Sequence, residues 1–266
     1  MKSVFYLFVF IFLVPLNVIA VSFSADAVQL RKGEFSHARI YWTDERVRFE
    51  YLDKGVAVAQ IYDTLNKKII WLDTENKVFL ERKLSDDQAK QKMVNKSAFI
   101  KNPCDLFADA QCTRLKEAVV NGRTTIKWLM TLDIEGSDTH IFQWVDKKYG
   151  VVIKQENSDG SVLNATIEDE LEVNGRKTRK VDMYAVSKIG TSMQNVQWYD
   201  SELDIVIRQV FADGAMDELR NIKVESIASS LFEIPEGYSE VETPIQNKSK
   251  MASQPEALTL SETQNN

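Results

Sequence analysis

From Phe23 to Glu81, apolar residues recur at nearly every second position. Val28 and Leu30, then Ala38, Ile40 and Trp42, then Val47, Phe49 and Tyr51, then Val56 and Val58, then Ile69 and Trp71, then Val78 and Leu80 follow this period, with breaks at Gly33, Asp44-Glu45, Asp53-Lys54-Gly55 and Asn66. A period of two sends successive side chains to opposite faces, so the segment predicts short, half-buried antiparallel strands. The pattern changes at Ser85-Asp86-Asp87, which reads as an N-cap with acids in the first turn. Ala89, Met93, Ser97 and Ala98 then give one narrow apolar face, predicting a helix over Asp86 to Phe99 that ends before Pro103.

Strand-like alternation resumes near Lys116 and runs through two similar units, about 116–169 and 170–226. Val120-Asn121-Gly122-Arg123 is answered by Val173-Asn174-Gly175-Arg176, Gln143-Trp144-Val145-Asp146 by Gln197-Trp198-Tyr199-Asp200, Val152-Ile153 by Val206-Ile207, and Asp159-Gly160 by Asp213-Gly214. Asn-Gly and Asp-Gly accept the positive φ of tight primed turns, so each unit predicts a set of hairpins. Arg123 and Arg176, just past the turns, read either as binders of an anionic headgroup or as cross-strand charge partners. After Ile227, Leu231-Phe232-Glu233-Ile234-Pro235-Glu236-Gly237-Tyr238 predicts a compact terminal element, and the polar stretch 241–266 predicts a flexible tail.

Composition narrows the functional classes. Lys2, the apolar run Val4 to Val14 and the small-residue site Val18-Ile19-Ala20 predict a signal peptide over residues 1–20, cleaved near Ala20, with no stable membrane anchor left behind. Removing those residues deletes Lys2 and no acid, so the formal charge moves from −6 to −7. That acidity argues against nucleic acid, whose binding rests on clustered Lys and Arg. The remaining 21–240 is long enough for one large β domain. Cys104 and Cys112, the two cysteines, predict a disulfide closing a short loop in an oxidising compartment. A metal site would need further ligands, and His37 and His140 lie far off without ligand spacing, so no metal or cofactor is expected.

Catalytic signatures are missing from the chain: there is no Gly-x-Ser-x-Gly elbow, no phosphate-cradling glycine loop, and neither histidine has a neighbouring Ser or Cys in a nucleophile setting. Paired carboxylates such as Asp217-Glu218 read as solvated strand or turn positions, and an enzyme is not expected. The aromatic residues are more informative. Trp42, Phe49, Trp71, Trp128, Phe142, Trp144, Tyr184 and Trp198 all fall on predicted strands. A sheet this large hides its apolar face by curving around itself, leaving either a packed interior or a ligand cavity. The predicted fold is therefore mainly β, a large curved antiparallel sheet forming a half-open barrel with one or two capping helices.

Phe23-Ser24-Ala25-Asp26, Val47-Arg48-Phe49-Glu50, Ile70-Trp71-Leu72-Asp73 and the Leu231 to Tyr238 close together resemble periplasmic proteins of the outer-membrane lipoprotein-sorting type, over nearly the whole mature chain. The resemblance implies a half-open barrel of about eleven strands, capped by helices over an apolar cavity for acyl chains, in the periplasm. The chain departs from that pattern in its length, its Cys104 to Cys112 loop and its doubled C-terminal block, and it lacks a lipid-attachment cysteine. The expectation is a binding protein holding a lipid, acyl chain or lipoprotein among the eight aromatic residues above. The alternative is an envelope sensor or interaction module with a packed interior that binds an envelope protein.

Overall fold

The computed structural model describes residues 21–85, 103, 110–134 and 137–242. Sixteen strands fill them: β1 (Phe23–Arg31), β2 (Glu34–Trp42), β3 (Arg46–Asp53), β4 (Val56–Asp63), β5 (Lys68–Asp73), β6 (Val78–Lys83), β7 (Gln111–Val120), β8 (Arg123–Ile134), β9 (Ser137–Asp146), β10 (Val152–Asn157), β11 (Val162–Val173), β12 (Arg176–Val186), β13 (Ser192–Asp200), β14 (Ile205–Phe211), β15 (Met216–Val224) and β16 (Ser239–Glu240). They form one curved sheet that does not close, in the order β16-β6-β5-β4-β3-β2-β1-β15-β14-β13-β12-β11-β10-β9-β8-β7. The β1–β15 ladder, from Phe23↔Val224 to Leu30↔Met216, joins the two ends of the domain in the middle of the sheet. Consecutive strands β6 and β7 stand at opposite margins.

Two kinds of turn set this register. At Asn121-Gly122 and Asn174-Gly175 both residues have positive φ, 50° and 74° in the first and 52° and 75° in the second. Two consecutive left-handed residues make a primed turn whose twist matches that of the flanking strands. The second kind begins with an aspartate. Asp73, Asp146 and Asp200 each accept backbone N–H groups two and three residues on, at 2.7–3.1 Å. Asp63 accepts from Asn66 N–H at 2.8 Å. The fourth residue after each is left-handed: Lys67, Lys77, Gly150 and Asp204. An aspartate that satisfies the turn's free donors thus closes four separate hairpins.

Register shifts interrupt the β1–β15, β7–β8, β9–β10, β11–β12 and β13–β14 ladders, whereas the ladders from β1 through β6 run without a break. An extra residue bends and twists its strand, so the curvature is introduced mainly in the second half. Where ladders end early, turns fill in. Asn174 Nδ2 donates to Leu219 O at 3.0 Å and Asn121 Nδ2 to Ala165 O at 3.5 Å, so each Asn-Gly tip reaches a strand four places along the sheet.

We call the face bearing Phe23, Ile40 and Ile207 the inner face. It holds a core of Phe23, Ala25, Ile40, Leu203, Ile205 and Ile207, and a second of Val151, Ile153, Ala165 and Val181. The outer face of β4 and β5 carries a third core, Ala59, Ile61, Ile70 and Leu72, which Phe232 completes. What covers that core corrects the expectation of capping helices. Among the described residues there is no α-helix, and the cover is the extended 227–238 stretch with its short 3-10 turn, Ser229–Phe232. The predicted helix over Asp86 to Phe99, the signal peptide, Cys104 and residues 243–266 lie outside the described residues, while Cys112 is the second residue of β7, opposite Met130. The chain stays on the sheet through Val241, whose N–H donates to Phe79 O at 2.8 Å.

Candidate functional site

Paired residues in an antiparallel ladder share a face, so the register sorts the eight predicted aromatic residues directly. One row across the inner face reads Ala25, Ile40, Phe49, Gln60, Trp71 and Leu80, from β1 to β6. The next reads Phe23, Trp42, Val47, Tyr62, Ile69 and Arg82. In the second half, Trp128 stands opposite Gln143, which stands opposite Gln155, also on the inner face. Trp42, Phe49, Trp71 and Trp128 are therefore inner residues. Phe142, Trp144, Tyr184 and Trp198 alternate to the outer face, and the eight do not line one cavity.

The inner aromatic residues make a connected surface. Trp42 stacks on Phe23 with ring centroids 5.9 Å apart and planes 11° apart, and Phe49 meets Tyr62 edge-on at 6.0 Å. Gln60 Nε2 donates to Tyr62 Oη at 2.6 Å. Burial, with Tyr51 nearby adding to it, pushes the Tyr62 phenol up to about 12. Trp42, Phe49, Tyr62 and Trp71 are all only half-buried, although they stand among fully buried neighbours such as Ile40 and Ile69.

Amides form the polar part of the same face. Gln143 Nε2 donates to Gln155 Oε1 at 2.6 Å, and Gln155 Nε2 to Asn157 Oδ1 at 2.8 Å. Trp128 Nε1, Gln143 Oε1, Asn195 Oδ1 and Gln197 Oε1 are buried without a hydrogen-bond partner. Each such group costs about 1–3 kcal/mol until water or a ligand group satisfies it. These amides carry no motif along the chain. Their signal is position: Gln143 and Gln197 immediately precede Trp144 and Trp198, so they point inward wherever the tryptophans point outward.

The outer aromatic residues are dressed with cations. Lys127 Nζ lies 4.2 Å from the Phe142 ring and 4.5 Å from the Trp144 ring, Lys154 Nζ lies 4.8 Å from Trp144, and the Arg208 guanidinium lies 4.9 Å from Trp198. Such contacts shield rings on a solvated face. Tyr184, 46% exposed, borders a shallow 350 Å³ hollow with Gln194 and Val210.

A groove of about 710 Å³ lies on the outer face, from β15 and β1 to β4. Asp26, Arg39, Arg48, Glu50 and Arg220 supply its charges, and Val28, Ala57 and Ala59 part of its floor. His37 lines it as well and stacks loosely on Phe35 at 6.4 Å. Hydrogen bonds from Asn221 and then Arg39 hold the Asp26 carboxyl below the ordinary carboxylate range. His140 Nδ1 contacts Thr131 Oγ1 at 3.2 Å at an exposed position. Arg123 and Arg176 are cross-strand partners of Asp146 and Asp200. Among the described residues, no cluster of His, Cys, Asp and Glu is arranged to hold a metal ion.

No family model and no curated protein matches this sequence. Among solved structures, the chain is similar to a LolA superfamily protein from Nitrosomonas europaea, with 10% identity over 80% of this chain and 90% of that one and a TM-score of 0.35. It is similar to a domain described as an outer membrane lipoprotein-sorting protein from Vibrio parahaemolyticus, with 11% identity over 80% and 89% of the two chains and a TM-score of 0.31. It is also similar to PNGF-II, with 10% identity over 84% of this chain and a TM-score of 0.30, but it spans only 31% of the length of that protein.

Proposed function

We propose that this protein is exported to the periplasm, where it acts as a binding protein rather than an enzyme and holds an acyl chain or a similar elongated hydrophobic ligand against its inner face. The observation that carries this reading is the pair of adjacent inner rows in which Trp42, Phe49, Tyr62 and Trp71 remain half-buried on a sheet that does not close. Mostly apolar walls with a few fixed polar groups are the usual form of a lipid-sized site. The buried, unpaired Trp128 indole N–H and the Gln143 and Gln197 amide oxygens supply those polar groups. An acyl chain would cover the aromatic rows while its headgroup satisfied the amides.

A brominated fatty acid tests the reading, because bromine quenches only tryptophans that it touches. Titration of the mature protein should give saturable quenching that falls when Trp42 or Trp71 is replaced by Phe and is unchanged in Trp144→Phe and Trp198→Phe. Absence of saturable quenching, or quenching that disappears with the outer tryptophans instead, overturns it.

A further inference from the structure

The chain already shows how its outer face receives an extended polypeptide. The 227–238 stretch crosses the strands and sinks Phe232, 3% exposed, into the core of Ala59, Ile61, Ile70 and Leu72. Its backbone is held by a guanidinium, since Arg48 Nη1 donates to Leu231 O at 2.8 Å, and the Arg46 guanidinium lies over the Phe232 ring at 4.8 Å. Arg48 and Ala59 also line the 710 Å³ groove, so the groove continues the surface that the terminal stretch occupies. One part of this face is filled by the chain itself, and the adjoining part is open among the described residues.

We propose that this groove is a binding site for an extended, uncharged polypeptide segment of a partner protein, lying across the strands beside residues 227–238. Its floor includes Ala57 and Ala59, whose short side chains leave room for a backbone. Its guanidiniums are held by acids: Arg39 donates to Asp26 at 2.8 Å, Arg48 to Glu50 at 2.8 Å and Arg220 to Glu218 at 2.7 Å. A guanidinium has five N–H donors in a fixed fork, so a paired arginine still has donors for a peptide carbonyl, as Arg48 demonstrates at Leu231. Because each of these guanidiniums already has a carboxylate partner, a phosphate would have to compete with that carboxylate, and an acyl chain would leave the polar walls unsatisfied. From Asn221 on β15 to Thr74 after β5 the groove crosses five strand spacings, about 24 Å, which is room for about seven extended residues.

The test is selection of 12-residue peptides from a displayed random library on the full mature protein, followed by titration of the selected peptides against two variants. Ala57→Trp fills the floor, and Thr74→Trp crowds the exposed end without touching a buried position. The expected result is selection of peptides poor in charge whose affinity falls about tenfold or more in both variants, a change of about 1.4 kcal/mol, while quenching by the brominated fatty acid at the inner face is unchanged. Failure to select peptides, undiminished binding to Thr74→Trp, or selection of strongly acidic sequences overturns the proposal. Loss of fatty-acid binding in Thr74→Trp would instead identify the groove as a lipid site and overturns it equally.

Discussion

Arg123 reaches across its hairpin and donates through Nε to Asp146 Oδ2 at 2.6 Å, while Asp146 Oδ1 accepts the N–H groups of Lys148 and Tyr149. The carboxylate is 2% exposed, so one buried side chain ties the start of β8 to the turn after β9. Arg176 and Asp200 repeat the arrangement in the following unit, down to the N–H groups of Glu202 and Leu203 on the free oxygen. Removing Asp146 leaves a partly buried cation and two unpaired donors. Asp146→Ala is expected to destabilise by about 3 kcal/mol, and Asp200→Ala by a similar amount, as urea midpoints with unchanged slopes would register. A loss below about 0.5 kcal/mol, the level of an ordinary surface change, would contradict this account.

The Asn174 turn separates side-chain from backbone effects. Asn174 sits at φ 52° and donates to Leu219 O at 3.0 Å and Glu218 Oε1 at 3.2 Å. Glycine keeps the left-handed backbone and deletes only those bonds, so Asn174→Gly should cost about 1 kcal/mol. Asn174→Ala adds the strain of a left-handed residue with a Cβ, and about 1 kcal/mol more is expected from that source. Thermal unfolding of both variants side by side checks the order, and equal losses would contradict it.

Phe232 is the residue through which the terminal stretch is fixed to the outer face. Phe232→Ala should cost about 3–4 kcal/mol, because the core of Ala59, Ile61, Ile70 and Leu72 opens on one side. Hydrogen exchange should show the same locality: the amides of Leu231 and Glu233, bonded to Ala228 O and Ser230 O, should lose protection before those of β1 and β15. Uniform loss across the sheet would mean that the stretch is not a separable cover.

Titration behaviour follows from two environments. The Tyr62 phenol, raised to about 12 from an ordinary 10.0, disfavours ionisation in the folded state. Its contribution is intact below pH 10 and disappears as the pH rises through about 12, so alkaline unfolding should be delayed in Tyr62→Phe. At the acid end, Asn221 and then Arg39 lower the Asp26 carboxyl, and the Ser161 hydroxyl and N–H lower that of Asp159. Both contributions are present above the ordinary value of 3.8 and are lost as the pH falls below it. Stability measured from pH 6 to 2.5 should therefore decline less steeply in Asp26→Asn and Asp159→Asn than in the parent chain.

Local features of this protein are legible in its sequence because they depend on near neighbours. The alternation from Phe23 to Glu81 specifies strands, and Asn121-Gly122 and Asn174-Gly175 specify primed turns. Trp71-Leu72-Asp73, Trp144-Val145-Asp146 and Trp198-Tyr199-Asp200 carry the same turn-capping aspartate at the same distance from a tryptophan. The aspartate's role is not legible along the chain, because it is defined by the left-handed residue four positions later, which is Lys, Gly or Asp in the different turns.

Alternation alone does not say which of two faces is inside. Trp128 and Trp144 lie on neighbouring strands and look equivalent along the chain, yet the β8–β9 register sets Trp128 opposite Gln143 and Trp144 opposite Lys127, on the other face. A slip of one residue would exchange every inner and outer side chain. That choice is made by contacts distant in sequence: the pairing of β1 with β15, the bulges that bend the second half, and the return of residues 227–238 over β4 and β5. The sequence by itself therefore determined the strands, the turns and the residues able to pack. The tertiary structure decided which aromatic residues share the inner face, because burial is a property of the whole sheet and not of any strand within it.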